Sequence, residues 1–285
     1  MFRGTTGRLL LAGCLSFLFL EVLFLTCNAT DTNICATSCG HLLNISYPFR
    51  FANDPQGCGE DSYTLNCENN VPVLYLFSGR YYVQEINYHN FTIRLVDDGV
   101  QKDNCSSLPH SSLIYSYFSL GGPYAWYYYK IPSGLSIYDA SHCVYDDPEK
   151  CLLKLSQAMV WITCPNPVDS LLYVDTAPCT NGSLLYHVSN SSVSQFKTHS
   201  YIIVEGMKAS DLMESCRVDM VMLLPNKHYK NMSYKDIHND LAYGFDISWY
   251  NTYCPKNCTM GCFADHKNRT SCIRFLRGMG GTLNS

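Results

Sequence analysis

Charge is scarce in this chain of 285 residues: only 15% of them are Asp, Glu, Lys or Arg, and the net charge is −4. A protein that binds nucleic acid through its phosphates needs a basic surface, so nucleic acid is not an expected partner. After Ala29, no apolar stretch approaches the length that crosses a bilayer. We therefore expect no membrane anchor within residues 30–285.

Signatures of catalysis are also missing. The sequence has no Gly-x-Ser-x-Gly elbow, no cysteine-protease signature and no His-x-x-x-His pair. Its paired carboxylates, Asp97-Asp98 and Asp146-Asp147, are neighbours in sequence, whereas glycosidase carboxylates face each other across a cleft at about 5–10 Å. We expect a protein that is not an enzyme and that holds no cofactor and no resident metal.

The first residues predict a secretory signal peptide, residues 1–29. Arg3 and Arg8 form a basic start, an apolar run extends from Leu9 to Leu25, and small residues precede a cleavage site after Ala29. The alternative is a membrane anchor of minimal length, which Glu21 inside the run disfavours. The mature protein is thus expected outside the cell.

Cysteine is abundant beyond that leader. An even number of cysteines in a secreted chain predicts a disulfide framework, here of up to seven bridges whose connectivity stays open. Zinc binding is disfavoured because the compartment is oxidising. The fourteen cysteines are Cys35, Cys39, Cys58, Cys67, Cys105, Cys143, Cys151, Cys164, Cys179, Cys216, Cys254, Cys258, Cys262 and Cys272.

Glycosylation sequons are spread along the same region. They predict a surface that is largely covered by sugar. The eight acceptors are Asn44, Asn90, Asn104, Asn181, Asn190, Asn231, Asn257 and Asn268.

The fold class is predicted to be mainly β, in disulfide-rich extracellular domains with short helices. Tyr82–Tyr88 and Phe91–Val96 are two runs rich in β-branched and aromatic residues, separated by a polar turn, which predicts a hairpin. Further short strands are predicted at Ser112–Phe118, Met159–Thr163, Leu171–Val174, Leu184–Val188 and Tyr201–Val204, and short helices at Asp146–Leu155 and Lys208–Cys216. After the leader, we divide the chain into residues 30–100, 101–252 and a cysteine-rich tail, 253–285.

The first of these units contains an ordered set of motifs: Cys35-x3-Cys39-Gly40, Ile45-Ser46-Tyr47-Pro48-Phe49, Cys58-Gly59, Tyr63-x-Leu65-x-Cys67, Tyr82-Val83-x-x-Ile86 and Asn90-x-Thr92-Ile93-x-Leu95-Val96-Asp97. In this set, the unit resembles the galacturonan-binding domain of plant wall-associated receptor kinases. The resemblance implies binding of pectin, that is galacturonan, in the plant cell wall. The motif residues themselves are expected to maintain the fold.

The second unit is similar to the partner segment in rust-resistance-type receptor-like kinases. The similar residues are Val160-Trp161-Ile162-Thr163-Cys164, Pro167-Val168, Tyr173 and Gly244-Phe245-x-Ile247-x-Trp249. Family members continue into a membrane helix and a kinase, and the tail after Cys262 departs from the family's glycine-rich spacing. We expect a secreted ectodomain, which is membrane-associated if a longer form carries the anchor and kinase.

Galacturonan is a polyanion, so Arg50, Arg80 and Arg94 are the expected binding cations in the first unit. Residues 35–105 hold only four basic side chains against eight acidic ones, which disfavours a polyanion unless calcium bridges the carboxylates. Tyr124 and Trp126 are the aromatic candidates for stacking on sugar, against the alternative that alternating rings fill the core. The basic stretch from Lys227 to Lys235 is expected to be a solvated, glycosylated loop.

Two functions therefore remain open. One is pectin binding by the ectodomain of a cell-wall receptor-like kinase. The other is binding of a protein or peptide, in which the chain acts as a decoy or co-receptor beside a receptor kinase in defence signalling.

Overall fold

The computed structural model describes residues 35–118, 122–131, 148–180, 198–204, 206–258, 262–265, 267 and 269–272. Four sheets and three short helices make up this part, which confirms the predicted mainly β class. The elements are β1 Arg50–Phe51, β2 Thr64–Glu68, β3 Val71–Leu76, β4 Gly79–Asn87, β5 Thr92–Asp97, β6 Tyr127–Tyr129, α1 Pro148–Cys151, β7 Leu152–Lys154, β8 Ser156–Cys164, β9 Val174–Asp175, α2 Ala177–Thr180, β10 His199–Val204, β11 Arg217–Pro225, α3 Tyr234–Tyr243, β12 Phe245–Ser248, β13 Cys262–Ala264 and β14 Thr270–Cys272.

The first sheet has six strands in the order β1-β2-β3-β4-β5-β12. The predicted hairpin is confirmed as the antiparallel pair β4–β5, with a register shift between Val83 and Glu85. Its alternation buries one face, on which Val83, Ile93 and Leu95 are fully enclosed. The other face carries the charged side chains described below.

The sixth strand of this sheet comes from far along the chain. β12 pairs antiparallel with β5, with Ile247 opposite Ile93. Gly244, at φ +98°, allows this approach, since a Cβ there would meet the Leu95 carbonyl oxygen at 2.5 Å. The predicted division near residue 100 stays a prediction, and the structure adds that the second unit completes the sheet of the first.

The second sheet has the order β11-β8-β10-β9, and α3 packs on one of its faces. Met159, Trp161 and Ile202 of the sheet meet Ile237 and Leu241 of the helix in one core. The predicted strands at Met159–Thr163 and Tyr201–Val204 are confirmed as parts of β8 and β10.

Four predictions for local structure were wrong, and one of them is the strand Leu171–Val174, of which only Val174 belongs to a strand, β9. The predicted strand Ser112–Phe118 contains instead a 3₁₀ turn at Tyr115–Tyr117, and the predicted helix Lys208–Cys216 contains only a 3₁₀ turn at Ala209–Asp211. Within Asp146–Leu155, the structure has the four-residue helix α1 and then strand β7. Pairing of Leu152–Lys154 with the tyrosines of β6 outweighs a short helix in this segment. Leu184–Val188 lies outside the described residues.

Six disulfides have both of their cysteines in the described part of the chain. Both bridges of the first unit are internal to it, and both tail bridges lie within Cys254–Cys272. The pairs are Cys35–Cys58, Cys39–Cys67, Cys105–Cys179, Cys164–Cys216, Cys254–Cys262 and Cys258–Cys272. Cys151 is also disulfide-bonded, and Cys143 lies outside the described residues, as does the predicted signal peptide.

Glycosylation stays a prediction for the sequons. Asn44, Asn104, Asn231 and Asn257 are exposed, and Asn90 is half-buried. Asn181, Asn190 and Asn268 lie outside the described residues.

Phe49, one of the motif residues of the first unit, is part of the scaffold. Phe49 is buried against Trp249 of the second unit at 5.3 Å between ring centroids. Phe91 and Tyr88 also contact the Trp249 ring, at 5.4 and 5.5 Å. Edge-to-face aromatic packing of this kind contributes beyond the area that it buries, so the Tyr-Pro-Phe segment and Trp249 hold the two units together.

Candidate functional site

Arg50 and Arg80, two of the three predicted binding arginines, are held in ion pairs with acidic neighbours. Arg50 donates to Asp61 at 2.6 Å, and its side chain is only 13% exposed. Arg80 contacts Glu68 at 2.7 Å and Asp98 at 3.3 Å. Their positive charge is therefore already compensated within the sheet, and their role in binding stays a prediction.

Arg94 is also ion-paired, but it helps to form a groove. Its guanidinium contacts Glu85 at 2.9 Å and Asp246 at 3.4 Å. It also lies 4.2 Å from the centroid of the Tyr243 ring, which it stacks upon. This cation–π contact fixes the ring at the end of α3, next to the strands of the first sheet.

We call this feature the Tyr243 groove. It has a volume of about 620 Å³, within the range of small-ligand sites. Gln84 and Arg94 come from β4 and β5, Lys102 and Asp103 from the loop after β5, and Asn239 and Tyr243 from α3.

The electrostatics of the Tyr243 groove leave one unpaired cation among its described residues, Lys102, whose sequence neighbour Asp103 adds a carboxylate to the lining. Burial raises the pKa of Asp246, and the nearby Arg94 offsets part of that rise. Arg94 is therefore occupied with its own acidic neighbours. Lys102 is exposed and makes no ion pair within the described part of the chain. The Tyr243 ring is 54% exposed, so it offers a flat apolar surface beside this free ammonium group.

Tyr124 does not reach the surface. It is 3% exposed and packs edge-to-face on Tyr63 at 5.2 Å. The next rings follow the predicted alternation, since Tyr128 is buried while Tyr127 and Tyr129 are half-buried. Tyr124 and Tyr128 therefore fill the core, which was the alternative to stacking on sugar for this stretch.

Trp126 lies at a second groove, which we call the Trp126 groove. The indole is half-buried and stacks on Tyr115, with ring centroids 4.1 Å apart and planes 28° from parallel. The groove has a volume of about 520 Å³ and is lined also by Lys154, Gln157, Lys227 and His228. Of the predicted stacking residues, Trp126 is thus the one that faces an open space.

A cluster of Asp97, Asp98 and His110 has the residue types of a cation site. The two oxygens of Asp97 accept hydrogen bonds from the backbone N–H groups of Gly99, His110 and Ser111. Asp98 is paired with Arg80 and His110. These carboxylates are therefore engaged in closing the turn after β5, and calcium as a bridge to pectin stays a prediction.

Comparison with protein families identifies the first unit. Residues 35–97 match the family model described as wall-associated receptor kinase galacturonan-binding. That domain belongs to this family. The match spans β1 to β5 and covers under a quarter of the 285 residues. No curated protein and no solved structure matches the chain.

The family model describes a galacturonan-binding part of wall-associated receptor kinases, which is a family of binding ectodomains and not of enzymes. The resemblance of the second unit to rust-resistance-type kinases stays a prediction. In the described ranges, no helix is long and apolar enough to span a bilayer.

Sequence reasoning missed several groove residues. Tyr243 and Asn239 were overlooked because helix α3 was not predicted, although Ser233 accepts a hydrogen bond from the backbone N–H of Asp236, as an N-cap residue does. Lys154 carried no signal in the sequence, since it is one lysine in an unremarkable segment. Lys227 and His228 were noted for their charge and assigned to a loop.

Proposed function

We propose that this protein binds galacturonan, the acidic polymer of pectin, outside the cell as the ectodomain of a wall-associated receptor. The match of residues 35–97 to the galacturonan-binding family carries this proposal. The Tyr243 groove supports it in part, because Gln84 and Arg94 of its lining come from β4 and β5 of that domain, whereas the other lining residues lie outside the match.

The chemistry of the groove suits an acidic sugar. A galacturonate ring has an apolar face of C–H groups, hydroxyls at its rim and one carboxylate. The exposed Tyr243 ring offers a stacking surface, the amides of Gln84 and Asn239 can hydrogen-bond hydroxyls, and the Lys102 ammonium can pair with the carboxylate. The ion-paired Arg94 holds the ring in place and is a positioning residue.

The test is binding by the secreted, glycosylated chain. Oligogalacturonate and a neutral galactose oligomer of equal length would be titrated by calorimetry, with calcium and with a chelator. We expect binding of the acidic oligomer alone. Absence of binding to oligogalacturonate in both conditions would overturn the proposal, and binding only with calcium would establish the bridging role of that ion.

A matched pair of variants locates the site. Tyr243→Ala removes the stacking surface and is expected to weaken oligogalacturonate binding about tenfold, which is about 1.4 kcal/mol. Tyr75→Ala is the control, since Tyr75 on β3 is 55% exposed and lies outside both grooves. Equal loss in both variants, or none in Tyr243→Ala, would contradict this placement.

A second candidate function is binding of a receptor-type protein partner, in which a soluble form acts as a decoy or co-receptor. One observation favours it: Phe77, in the turn of the β3–β4 hairpin, is 52% exposed and has a left-handed backbone at φ +55°. Its ring packs on Tyr117, itself 43% exposed, at 5.2 Å. An aromatic residue in this conformation is unusual and forms an apolar surface patch.

Receptor ectodomains captured by the secreted protein in polysaccharide-free medium would test this second function. Phe77→Asn keeps the left-handed backbone and removes the ring. We expect it to abolish capture, and capture that persists in this variant would argue against the patch.

A further inference from the structure

The Trp126 groove has an aromatic platform that the family-matched domain does not supply. Tyr115 and Trp126 stack in parallel, and the hydroxyl of Tyr115 donates to the Ser156 carbonyl at 3.5 Å. Tyr127 closes one side, with its ring edge-on to the indole at 4.7 Å. The indole is thus held from two sides, so a ligand that stacks on it meets a fixed surface.

One unpaired positive charge lies beside this platform, and no acidic side chain is among the lining residues that the structure describes. Lys154 is exposed and forms no ion pair in the described ranges. Lys227 forms an ion pair with Asp240 at 2.5 Å, and His228 contributes an exposed imidazole. Lys154 is therefore the cation with the most to gain from an anionic ligand.

Hydrogen bonds hold the parts of the groove in register. The side-chain amide of Asn226 donates to the Lys154 carbonyl at 3.0 Å, and the backbone N–H of Asn226 donates to the Leu155 carbonyl at 3.2 Å. The amide of Gln157 donates to the carbonyls of Pro225, at 3.3 Å, and Lys227. The segments that carry Lys154, Lys227 and His228 are thereby tied together before a ligand arrives, which lowers the entropy cost of binding.

We propose that the Trp126 groove is a second binding site for an acidic sugar, separate from the Tyr243 groove. The apolar face of the sugar stacks on the Trp126–Tyr115 platform, its carboxylate pairs with Lys154, and its hydroxyls reach His228 and the Asn226 amide. The choice of galacturonate as the sugar rests on the proposed function. The site itself rests on the platform and on the free cation beside it.

The chain offers a direct optical test of this site. It has three tryptophans, of which Trp161 and Trp249 are 2% and 0% exposed. A ligand that stacks in the groove should therefore change the fluorescence of Trp126 selectively. Digalacturonate would be titrated into the secreted protein, with its dimethyl ester as the uncharged control.

We expect a saturable fluorescence change with digalacturonate that is absent in Trp126→Phe, a variant that keeps an aromatic ring for folding. Lys154→Glu should raise the digalacturonate concentration at half-saturation at least tenfold, because it replaces an attractive charge by a repulsive one. Lys230→Glu is the matched control, since Lys230 is exposed in the same basic stretch but does not line the groove. It should bind as the wild type does.

The outcomes separate the two proposals. If the wild type binds oligogalacturonate by calorimetry but shows no fluorescence change, and Lys154→Glu binds unchanged, this inference is overturned and the proposed function stands. If the fluorescence change persists in Tyr243→Ala, the two grooves act separately, as inferred. No binding of any galacturonate by either method overturns both.

Discussion

The arginines of the first sheet and the lysines beside the two grooves are in opposite situations. Arg50, Arg80 and Arg94 are the cations of the family-matched domain, and each is already paired with acidic side chains. Lys102 and Lys154 are isolated in sequence, yet both are exposed and form no ion pair within the described ranges. The number of basic residues therefore does not locate a polyanion site. Whether each basic side chain is already paired with an acidic one is the better guide.

Truncating the aromatic scaffold would have the largest effect. Phe49→Ala removes a ring that is 1% exposed and contacts Trp249, Tyr63 and Tyr88. We expect it to lower the free energy of unfolding by about 3–5 kcal/mol. Urea denaturation of the secreted protein, monitored by tryptophan fluorescence, measures this change.

Phe77→Asn is the control for that variant. It also deletes a phenyl ring, but an exposed one, and it should change the free energy of unfolding by under about 0.5 kcal/mol. Similar losses in the two variants would mean that Phe49 is not part of a core shared by both units.

Removing an arginine of the first sheet should have the next largest effect on stability. Arg80→Gln removes the cation that pairs with both Glu68 and Asp98, and it loses the contact with the Tyr82 ring at 5.0 Å. Because this cluster is partly exposed, we expect a loss of about 1 kcal/mol in stability. Affinity for oligogalacturonate, measured by calorimetry, should stay unchanged. A fall in affinity at unchanged stability would instead make Arg80 a binding residue.

A smaller effect comes from the buried imidazole that ties helix α3 to the loop after β5. His238 of α3 is 1% exposed, and its Nε2 atom lies 3.0 Å from the Ser107 carbonyl oxygen. Burial lowers the pKa of His238, although that carbonyl opposes part of the shift. The unfolded chain then binds a proton more readily than the folded one, so stability falls as the pH drops below about 6.5, the ordinary value for histidine.

The melting temperature measured from pH 7.5 down to pH 5 tests this prediction. His238→Gln should be less stable at pH 7.5 but should lose this component of the pH dependence. A melting curve that shifts equally with pH in both proteins would show that other groups are responsible.

Much of the fold was readable from local patterns. The β-branched and aromatic runs in Tyr82–Val96 and in Met159–Thr163 predicted strands because such side chains favour a pleated, buried surface. The pairing of β5 with β12 joins residues that are about 150 positions apart, and no local pattern encodes such a contact. Helix α3 was missed because its basic, sequon-containing approach from Lys227 favours a loop, whereas packing of Ile237 and Leu241 on the second sheet stabilises the helix.

The candidate site was less predictable. Residue types suggested arginine and aromatic side chains, and Trp126 does line a groove. Whether an arginine is free depends on side chains such as Asp246, which only the tertiary structure brings to Arg94. Lys102 and Lys154 gain their importance in the same way, from what does not lie beside them in the described structure.

Both proposals have the unpaired lysines Lys102 and Lys154, each beside an aromatic ring, recognise the carboxylates of galacturonan. Calorimetric titration of the secreted, glycosylated protein with trigalacturonate and with its fully methyl-esterified form tests this most directly. We expect esterification to weaken binding at least tenfold, since it removes the charges that pair with the lysines. Equal affinity for the two oligomers, or no binding of trigalacturonate, would contradict it.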